Sequence, residues 1–320
     1  MNAVSRREFG RVVLASIPAA AVFGPSAALA RGRVTVGVSA ASFRDLARVT
    51  GSDNVDEIIL ATRAVRATYL ELALANVEPA PPAVAPFMGG SAAYPRRIVP
   101  SPEQVAATNA DARAALRAWR GQAAPGVFEG VRNKLAAAGL TVPVCAVAFN
   151  DSFTDDEIDA TFEQTKAIGA AVISSPMTMA MAARLAPFAV RHQLSVAIHN
   201  QVDGNAAGAI ATGDLQAALA LSPAFTLKLD IGNLTASNCD AVSELRRYQS
   251  RVALVLVKDR LRNGGASQPF GEGDTPIAAV LDTLKTSTRP IPAIIEYDYV
   301  GLHPVIDEIA ALMTYVAERS

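Results

Sequence analysis

Four largely apolar segments in the second half of the chain each end at a side chain that can bind a metal ion or transfer a proton. These side chains are His199, Asp230, Lys258 with its neighbour Asp259, and Glu296. In a parallel barrel the C-terminal ends of the strands meet at one mouth, so residues far apart in sequence come together there. Imidazole and carboxylate groups at such a mouth can hold a divalent cation or act as general acids and bases. The sequence therefore predicts one polar site built from successive strand ends.

Three further residues belong to this pattern. Glu71 ends an earlier apolar segment, where a charge is costly unless it is paired or faces a polar mouth. Asn200 follows His199 directly. Lys228 precedes Asp230 by two residues, and residues i and i+2 of a strand point to the same side. We therefore expect Lys228 to share a face with Asp230 and to reach toward its carboxylate. Pairing of Lys228 with another barrel carboxylate is the alternative.

Strand-like and helix-like segments alternate along the chain, and this order indicates how the polar residues are positioned. The predicted strands are mostly continuous apolar segments, as expected for parallel strands that are buried on both faces. These predicted strands are 33–38, 68–72, 141–149, 170–174, 195–198, 225–229, 252–257 and 291–295. The predicted helices are 53–66, 127–138, 154–168, 181–192, 213–221, 239–249, 275–286 and 304–317. Eight alternating pairs predict an α/β protein with a (β/α)8 TIM-barrel fold. An open doubly wound sheet is less favoured, because no Gly-x-Gly-x-x-Gly motif follows a predicted strand.

Residues 79–125 interrupt the alternation. The segment is rich in Pro, Ala and Gly as far as Pro102, and it then becomes helical with arginines at 113, 117 and 120. We interpret it as an insertion after the second strand that lies over the mouth of the barrel. For residues 80–100 a flexible linker is equally consistent with the composition.

Residues 1–30 have the features of a twin-arginine export signal. The pair Arg6-Arg7 precedes an uncharged apolar segment, which ends in a small-x-small triplet at Ala28-Leu29-Ala30. A membrane anchor is less favoured, because Pro18 and the pair Gly24-Pro25 interrupt the segment. We therefore expect the twin-arginine export machinery as a partner, a periplasmic or otherwise exported location, and residues 31–320 as the mature barrel domain.

The charge balance limits the partners of the mature chain. The 320-residue chain has a formal net charge of −1, and removal of residues 1–30 would change it to −3. No basic block remains, so neither nucleic acid nor a membrane is an expected partner. Cys145 and Cys239 form no Cys-x-x-Cys pair and are interpreted as core or near-core residues. No feature of the sequence indicates an oligomeric state.

From Thr68 to the C-terminus the chain resembles the xylose isomerase-like TIM-barrel family, also described as sugar phosphate isomerases/epimerases, and it looks most like an exported branch of that family. The least expected of the shared motifs is Pro-Phe-Gly-Glu-Gly-Asp-Thr-Pro at 269–276. The other matching stretches are 71–72, 77–79, 149–158, 198–200, 229–233, 257–260 and 295–297.

The resemblance implies a divalent metal, Mn²⁺, Mg²⁺ or Co²⁺, at the barrel mouth. Its ligands in the family come from strands five to eight, and three of them map onto His199, Asp230 and Glu296. The fourth is a His in a His-x-Lys-Asp motif, and this chain has Leu256 there. Other positions at which relatives carry His hold Asn76, Gln201 and Asn233. The sequence is therefore consistent either with a weakened metal site or with a metal-free one, in which Lys228 partly replaces the cation.

The resemblance also implies roles for individual residues. Glu296 and His199 would transfer protons, Lys258 and Glu71 would bind hydroxyl groups as part of the catalytic set, and Asp230 would hold the metal or Lys228. The further candidates for substrate contacts are Asn200, Asn233, Lys228 and Arg260.

Two functions follow as expectations. The first is an isomerase or epimerase, or a lyase, that acts on an unphosphorylated sugar or keto-sugar by metal-assisted proton transfer at the barrel mouth. No phosphate cradle is visible in the sequence, which favours an unphosphorylated substrate. The second is a sugar-binding barrel that has lost its metal and its catalytic activity. A nuclease of the endonuclease IV type would need a cluster of three metals with many His ligands, and the chain has only three histidines.

Overall fold

The computed structural model describes residues 34–82, 87–91, 94–98, 102–205, 208–301 and 304–319. The predicted export signal at 1–30 lies outside this part of the chain, as does His303. In the described residues, no helix is both long and apolar enough to cross a membrane.

In chain order the described strands are β1 (Val36–Ser39), β2 (Tyr69–Ala73), β3 (Phe87–Ser91), β4 (Tyr94–Ile98), β5 (Thr141–Ala146), β6 (Val172–Ser175), β7 (Ser195–His199), β8 (Phe225–Asp230), β9 (Val252–Val257) and β10 (Ala293–Ile295). Eight of them are parallel and close into a barrel, in the order β1-β10-β9-β8-β7-β6-β5-β2. The predicted TIM barrel is confirmed, with strand ends close to those expected from the apolar segments.

The helices follow the strands as the sequence predicted, with two additions. They are Val55–Ala64, Pro102–Gln122, Pro125–Ala137, Asp155–Ile168, Met179–His192, Leu215–Ala220, Ile231–Ala236, Ala241–Tyr248, Ile277–Lys285 and Val305–Arg319. Short 3-10 turns occur at Ala40–Phe43, Leu74–Asn76 and Thr212–Asp214. Beyond the eight numbered predictions, the two further helices are Pro102–Gln122, in a segment for which the sequence predicts a helix without bounds, and the short helix Ile231–Ala236, which begins directly after β8 and which the sequence does not predict.

Both faces of the barrel strands are covered by apolar side chains. Inside the barrel lies a compact buried cluster that consists of Val144, Ala197, Leu254, Leu256 and Ile294. The outer faces of the strands pack against the surrounding helices in one larger buried cluster. This double burial explains why the strands appear in the sequence as continuous apolar segments. It also places Leu256 in the apolar interior.

The described residues of the insertion after β2 include a pair of antiparallel strands and a long helix. β3 and β4 pair in antiparallel register, with Phe87 opposite Ile98 and Ser91 opposite Tyr94. The helix Pro102–Gln122, called here the insertion helix, follows the hairpin. The Pro-, Ala- and Gly-rich segment therefore contains regular structure, although its composition is also that of a linker.

Arginines of the insertion helix pack against the barrel through a buried carboxylate. Arg113 and Arg120 both bind Glu157 Oε1, at 2.6 and 3.2 Å, and Arg117 binds Glu157 Oε2 at 3.2 Å. Glu157 also closes a capping box, because its carboxylate accepts from Thr154 N and the Thr154 hydroxyl accepts from Glu157 N. One acid thus begins the helix Asp155–Ile168 and holds the insertion helix against the barrel.

Candidate active site at the barrel mouth

A cavity of about 340 Å³ lies at the C-terminal ends of β2, β5, β6, β7 and β8, beneath the insertion helix. Its polar lining includes Arg113 and Arg120 from the insertion helix, and Ser174, His199 and Lys228 from the strand ends. The remainder of the lining is largely apolar. Cavities of this size accept small organic ligands, and a few convergent polar groups fix their orientation. The predicted position of the insertion over the mouth agrees with this arrangement.

Glu71 forms a buried ion pair across the barrel. Its Oε2 accepts from Lys228 Nζ at 2.7 Å, and its Oε1 accepts from Ser174 Oγ at 2.6 Å. Glu71 is fully buried, and Lys228 is only 4% exposed. The expectation that Lys228 reaches Asp230 is wrong, because β2 brings the Glu71 carboxylate closer to the ammonium. In the structure Lys228 pairs with another barrel carboxylate, that of Glu71, which was the alternative interpretation.

Asp230 ends β8 and contacts both a histidine and a lysine. Its Oδ2 lies 3.1 Å from His199 Nε2 and 3.5 Å from Lys258 Nζ. Burial alone would raise the pKa of Asp230, but the Lys258 ammonium and the hydrogen bond with His199 hold it well below its usual range. Burial, and next the positive charge of Lys228, lowers the pKa of His199. The pair is therefore a carboxylate with a neutral imidazole at neutral pH.

Lys258 lies among three carboxylates. Its Nζ is 2.6 Å from Glu296 Oε1, 3.3 Å from Asp298 Oδ2 and 3.5 Å from Asp230 Oδ2. Burial alone would lower the pKa of Lys258, but these carboxylates raise it above its ordinary value. Burial alone would likewise raise the pKa of Glu296, and Lys258 and then Lys228 lower it. Both groups of the closest pair are thus charged at neutral pH.

Asn200 and Asn233 build the frame that holds Asp230. Asn200 donates from Nδ2 to Asp230 O at 3.1 Å and accepts from Asp230 N at 2.8 Å, so its side chain continues the strand pairing. Asn233 N donates to Asp230 Oδ1 at 2.9 Å, which caps the short helix Ile231–Ala236. Arg260 in turn donates to Asn233 Oδ1 at 2.7 Å and to Gly265 O. The predicted substrate contacts of these three residues stay predictions, since their polar groups make these bonds within the protein.

Asp259 does not face the cavity but organises the glycine-rich loop after β9. Its carboxylate accepts from the backbone amides of Gly271, Gly273 and Thr275 at 2.8 to 3.2 Å. A Cβ on Gly273 would meet the Asp259 carboxylate, including Cγ at 2.6 Å. The Pro-Phe-Gly-Glu-Gly-Asp-Thr-Pro stretch is thus a loop wrapped around one buried acid.

Sequence reasoning missed three members of the site. Ser174 hydrogen-bonds Glu71, and the only signal in the sequence was a hydroxyl residue at the end of an apolar segment. Asp298 joins Lys258 from an irregular segment after β10. Glu78 Oε1 lies 2.6 Å from Arg120 Nε of the insertion helix. In the sequence, Glu78 stands out only as part of the matching stretch 77–79. The contacts of Ser174 and Asp298 depend on how the barrel closes, and the contact of Glu78 depends on where the insertion helix packs.

The candidate metal ligands can be tested against the chemistry of the donors that surround them. His199, Asp230 and Glu296 do converge, but the Lys258 ammonium already binds the two carboxylates that a metal would need. Leu256 offers no lone pair where the family has an imidazole. In the described part of the chain, no group of three or more His, Cys, Asp or Glu side chains is arranged to hold a metal ion. This donor set does not fit the divalent cation that the resemblance implies.

Comparison with known proteins supports the fold. The sequence matches no protein-family model and no curated protein. A xylose isomerase domain protein from Alicyclobacillus acidocaldarius is similar in structure, with 11% identity, a TM-score of 0.55, and coverage of 84% of this chain and 94% of that one. An L-ribulose 3-epimerase has 10% identity, a TM-score of 0.58, and coverage of 89% and 94%. A 3-keto-D-glucoside 4-epimerase from E. coli has 11% identity, a TM-score of 0.56, and coverage of 89% and 100%. The chain therefore has the TIM-barrel fold of xylose isomerase-like proteins.

Proposed function

We propose that the chain is a sugar isomerase- or epimerase-like enzyme that transfers a proton on an unphosphorylated sugar or keto-sugar at the barrel mouth. The observation that carries the proposal is the placement of His199, which lines the cavity and hydrogen-bonds the buried Asp230. A histidine held by a carboxylate beside a cavity is a recurrent arrangement for a general base.

The hydrogen bond decides which nitrogen of His199 can accept a proton. An ionised carboxylate is an acceptor only, so Nε2 must carry the hydrogen that lies between His199 and Asp230. The lone pair of the neutral imidazole then resides on Nδ1. Asp230 thus orients the ring, and it would stabilise the imidazolium that forms when His199 takes a proton from the substrate.

Lys228 would stabilise the negative charge that forms on the substrate when the proton leaves. Its ammonium lines the same cavity and is fixed by Glu71. When a C–H next to a carbonyl gives its proton to His199, the electron pair moves onto the carbonyl oxygen, and a nearby positive charge lowers the energy of that enolate. Protonation of the same carbon from the opposite face, by water or a second acid because His199 serves one face only, gives an epimer. Return of the proton from His199 to the former carbonyl carbon, with the neighbouring hydroxyl proton moving to the former carbonyl oxygen, gives an isomer.

The remaining catalytic candidates would have supporting roles. Glu296 is the second proton-transfer candidate, and it is bound to Lys258. Glu71 is fully buried and bonded to Lys228 and Ser174, which favours the positioning of Lys228 over the binding of a substrate hydroxyl. No step of this mechanism passes through a metal ion.

One observation favours a second candidate function, a sugar-binding barrel without activity. Glu71 and Asp230 are fully buried, and lysines and hydrogen-bond donors of the protein already bind their carboxylates. A mouth saturated in this way can hold a sugar without performing chemistry on it.

Deuterium exchange separates the two functions. Keto-sugars such as L-ribulose are incubated with the protein in D₂O, and incorporation at the carbon beside the carbonyl is followed by NMR. We expect exchange with the wild type and its loss in His199→Gln, whereas His192→Gln removes a histidine that does not line the cavity and should keep it. Binding in a calorimeter without any exchange would instead establish the binding barrel.

Export forms a separate part of the proposal. The arginine pair and the small-x-small triplet support a twin-arginine signal, and with it the export machinery as a partner and a periplasmic location. Replacement of Arg6 and Arg7 by lysines should retain the full-length precursor inside the cell, which fractionation and mass spectrometry of the product would detect. Export of that variant at the normal rate would contradict this part.

A further inference from the structure

Two buried ammonium groups lie among the carboxylates of the barrel mouth. Lys228 and Lys258 are only 4% and 7% exposed. Lys228 Nζ lies 2.7 Å from Glu71 Oε2, and Lys258 Nζ lies 2.6 Å from Glu296 Oε1, so each lysine forms a close ion pair. The two lysines come from neighbouring strands, β8 and the end of β9. Together they contact Glu71, Asp230 and Glu296.

Glu296 connects the two lysines. Its Oε1 lies 2.6 Å from Lys258 Nζ, and its Oε2 lies 3.9 Å from Lys228 Nζ. Asp230, the other candidate anionic ligand, lies 3.5 Å from the same Lys258 nitrogen. Ammonium groups of the protein's own lysines thus already neutralise the carboxylates that would bind a metal.

We infer that the ammonium groups of Lys228 and Lys258 replace the divalent cation at the barrel mouth, so that the protein needs no metal. The inference rests on the proposed function, because it concerns the charge that organises the same site.

A metal ion would have to compete with these ammonium groups rather than fill a vacant cage. Binding between Asp230 and Glu296 would displace Lys258 from both carboxylates and leave a buried ammonium with fewer partners, which is strongly unfavourable. The His-x-Lys-Asp motif of the family has a lysine at the position of Lys258 too, so the lysine alone does not exclude a metal. What differs here is Leu256, which lies in the apolar cluster inside the barrel and supplies no fourth ligand, so that Lys258 holds both carboxylates. Lysine contributes a fixed charge without coordination chemistry, which fits a site whose work is electrostatic.

The experiment measures metal content and thermal stability of the full chain. Wild-type protein is exposed to excess Mn²⁺, dialysed, and analysed for metal; we expect well under one equivalent and no rise in Tm with Mn²⁺. In Lys258→Met the carboxylates lose their cation, so Mn²⁺ should now raise Tm by several degrees, because a ligand that binds only the folded state stabilises it. The double variant Leu256→His with Lys258→Met should respond more strongly. Lys134→Met, at an exposed ion pair with Asp56, serves as the control and should show no response.

Retention of about one metal ion per chain by the wild type, the stoichiometry of a mononuclear site, would overturn the inference, and this result does not depend on the folding of any variant. A folded Lys258→Met protein that shows no response to Mn²⁺ would overturn it as well. These outcomes are distinct from failure of the proposed function, which the deuterium-exchange assay detects. A metal-loaded wild type can still exchange substrate protons, and a metal-free one can fail to do so.

Discussion

Arg120 of the insertion helix donates from Nε to Glu78 Oε1 at 2.6 Å, and neither side chain is more than 8% exposed. Replacement of Arg120 by Met should therefore destabilise the protein by about 3–5 kcal/mol, because it leaves the Glu78 carboxylate buried without its cation. Urea unfolding would measure the change in the free energy of unfolding.

Two further variants make this prediction specific. Adding Glu78→Gln to Arg120→Met should recover part of the loss, because the unpaired charge is then removed. Lys134→Met breaks an ion pair whose side chains are 50% and 65% exposed, and it should cost about 0–1 kcal/mol. Equal losses at the buried and the exposed pair would contradict the argument.

Glu157 should make the stability of the protein sensitive to acid. Burial alone would raise its pKa, but hydrogen bonds from Arg113 and Thr154 lower it to about 2. Because the folded pKa lies below the ordinary value, the stabilisation is complete above that ordinary value and is lost as the pH falls toward about 2. The Tm difference between wild type and Glu157→Gln should therefore be largest near neutral pH and shrink on acidification. A difference that is independent of pH would show that the arginine contacts are not electrostatic.

The barrel could be predicted because its strands are buried on both faces and therefore appear as continuous apolar segments. β9 has the predicted bounds, and β7 and β8 extend one residue further, to His199 and Asp230. The hairpin of β3 and β4 could not be predicted, because its Pro- and Gly-rich composition is also that of a linker. The short helix Ile231–Ala236 is too short for a periodic pattern, and it begins through the Asp230 cap.

The sequence could predict which residue types form the site, but it could not predict which of these side chains bind each other. Because the strand ends meet at the barrel mouth, His199 and Asp230 are expected to lie close together, and in the structure His199 Nε2 is 3.1 Å from Asp230 Oδ2. The sequence did not predict that Lys228 binds Glu71 while Lys258 binds Asp230. Those choices depend on how far each lysine reaches across the closed ring of strands, and local sequence spacing carries no information about that distance.

Gly273 and Gly130 form a matched pair for a test of the glycine-rich loop. A Cβ on Gly273 would lie 2.9 Å from Arg260 N and would contact the Asp259 carboxylate, whereas a Cβ on Gly130 meets no atom within 4 Å. Gly273→Ala should therefore destabilise the protein, because the loop must move away from Asp259. Gly130→Ala lies in the helix Pro125–Ala137 and should stabilise by about 0.5–1 kcal/mol. Thermal unfolding of both variants measures the two effects, and a Gly273→Ala protein as stable as the wild type would refute the close contact.

Asn200 offers the clearest test of how the mouth is held in place. Its side chain exchanges two hydrogen bonds with the main chain of Asp230, and it is fully buried. Asn200→Ala would leave the buried N–H of Asp230 without its acceptor, at about 1–3 kcal/mol. Because Asp230 orients His199, deuterium exchange should fall more than the loss of stability alone explains when it is measured well below the Tm of the variant. Gln201→Ala removes only longer bonds of 3.3 and 3.4 Å next to it and should leave both properties nearly unchanged. If Asn200→Ala lost stability but kept full exchange, Asn200 would support the fold without positioning the catalytic pair.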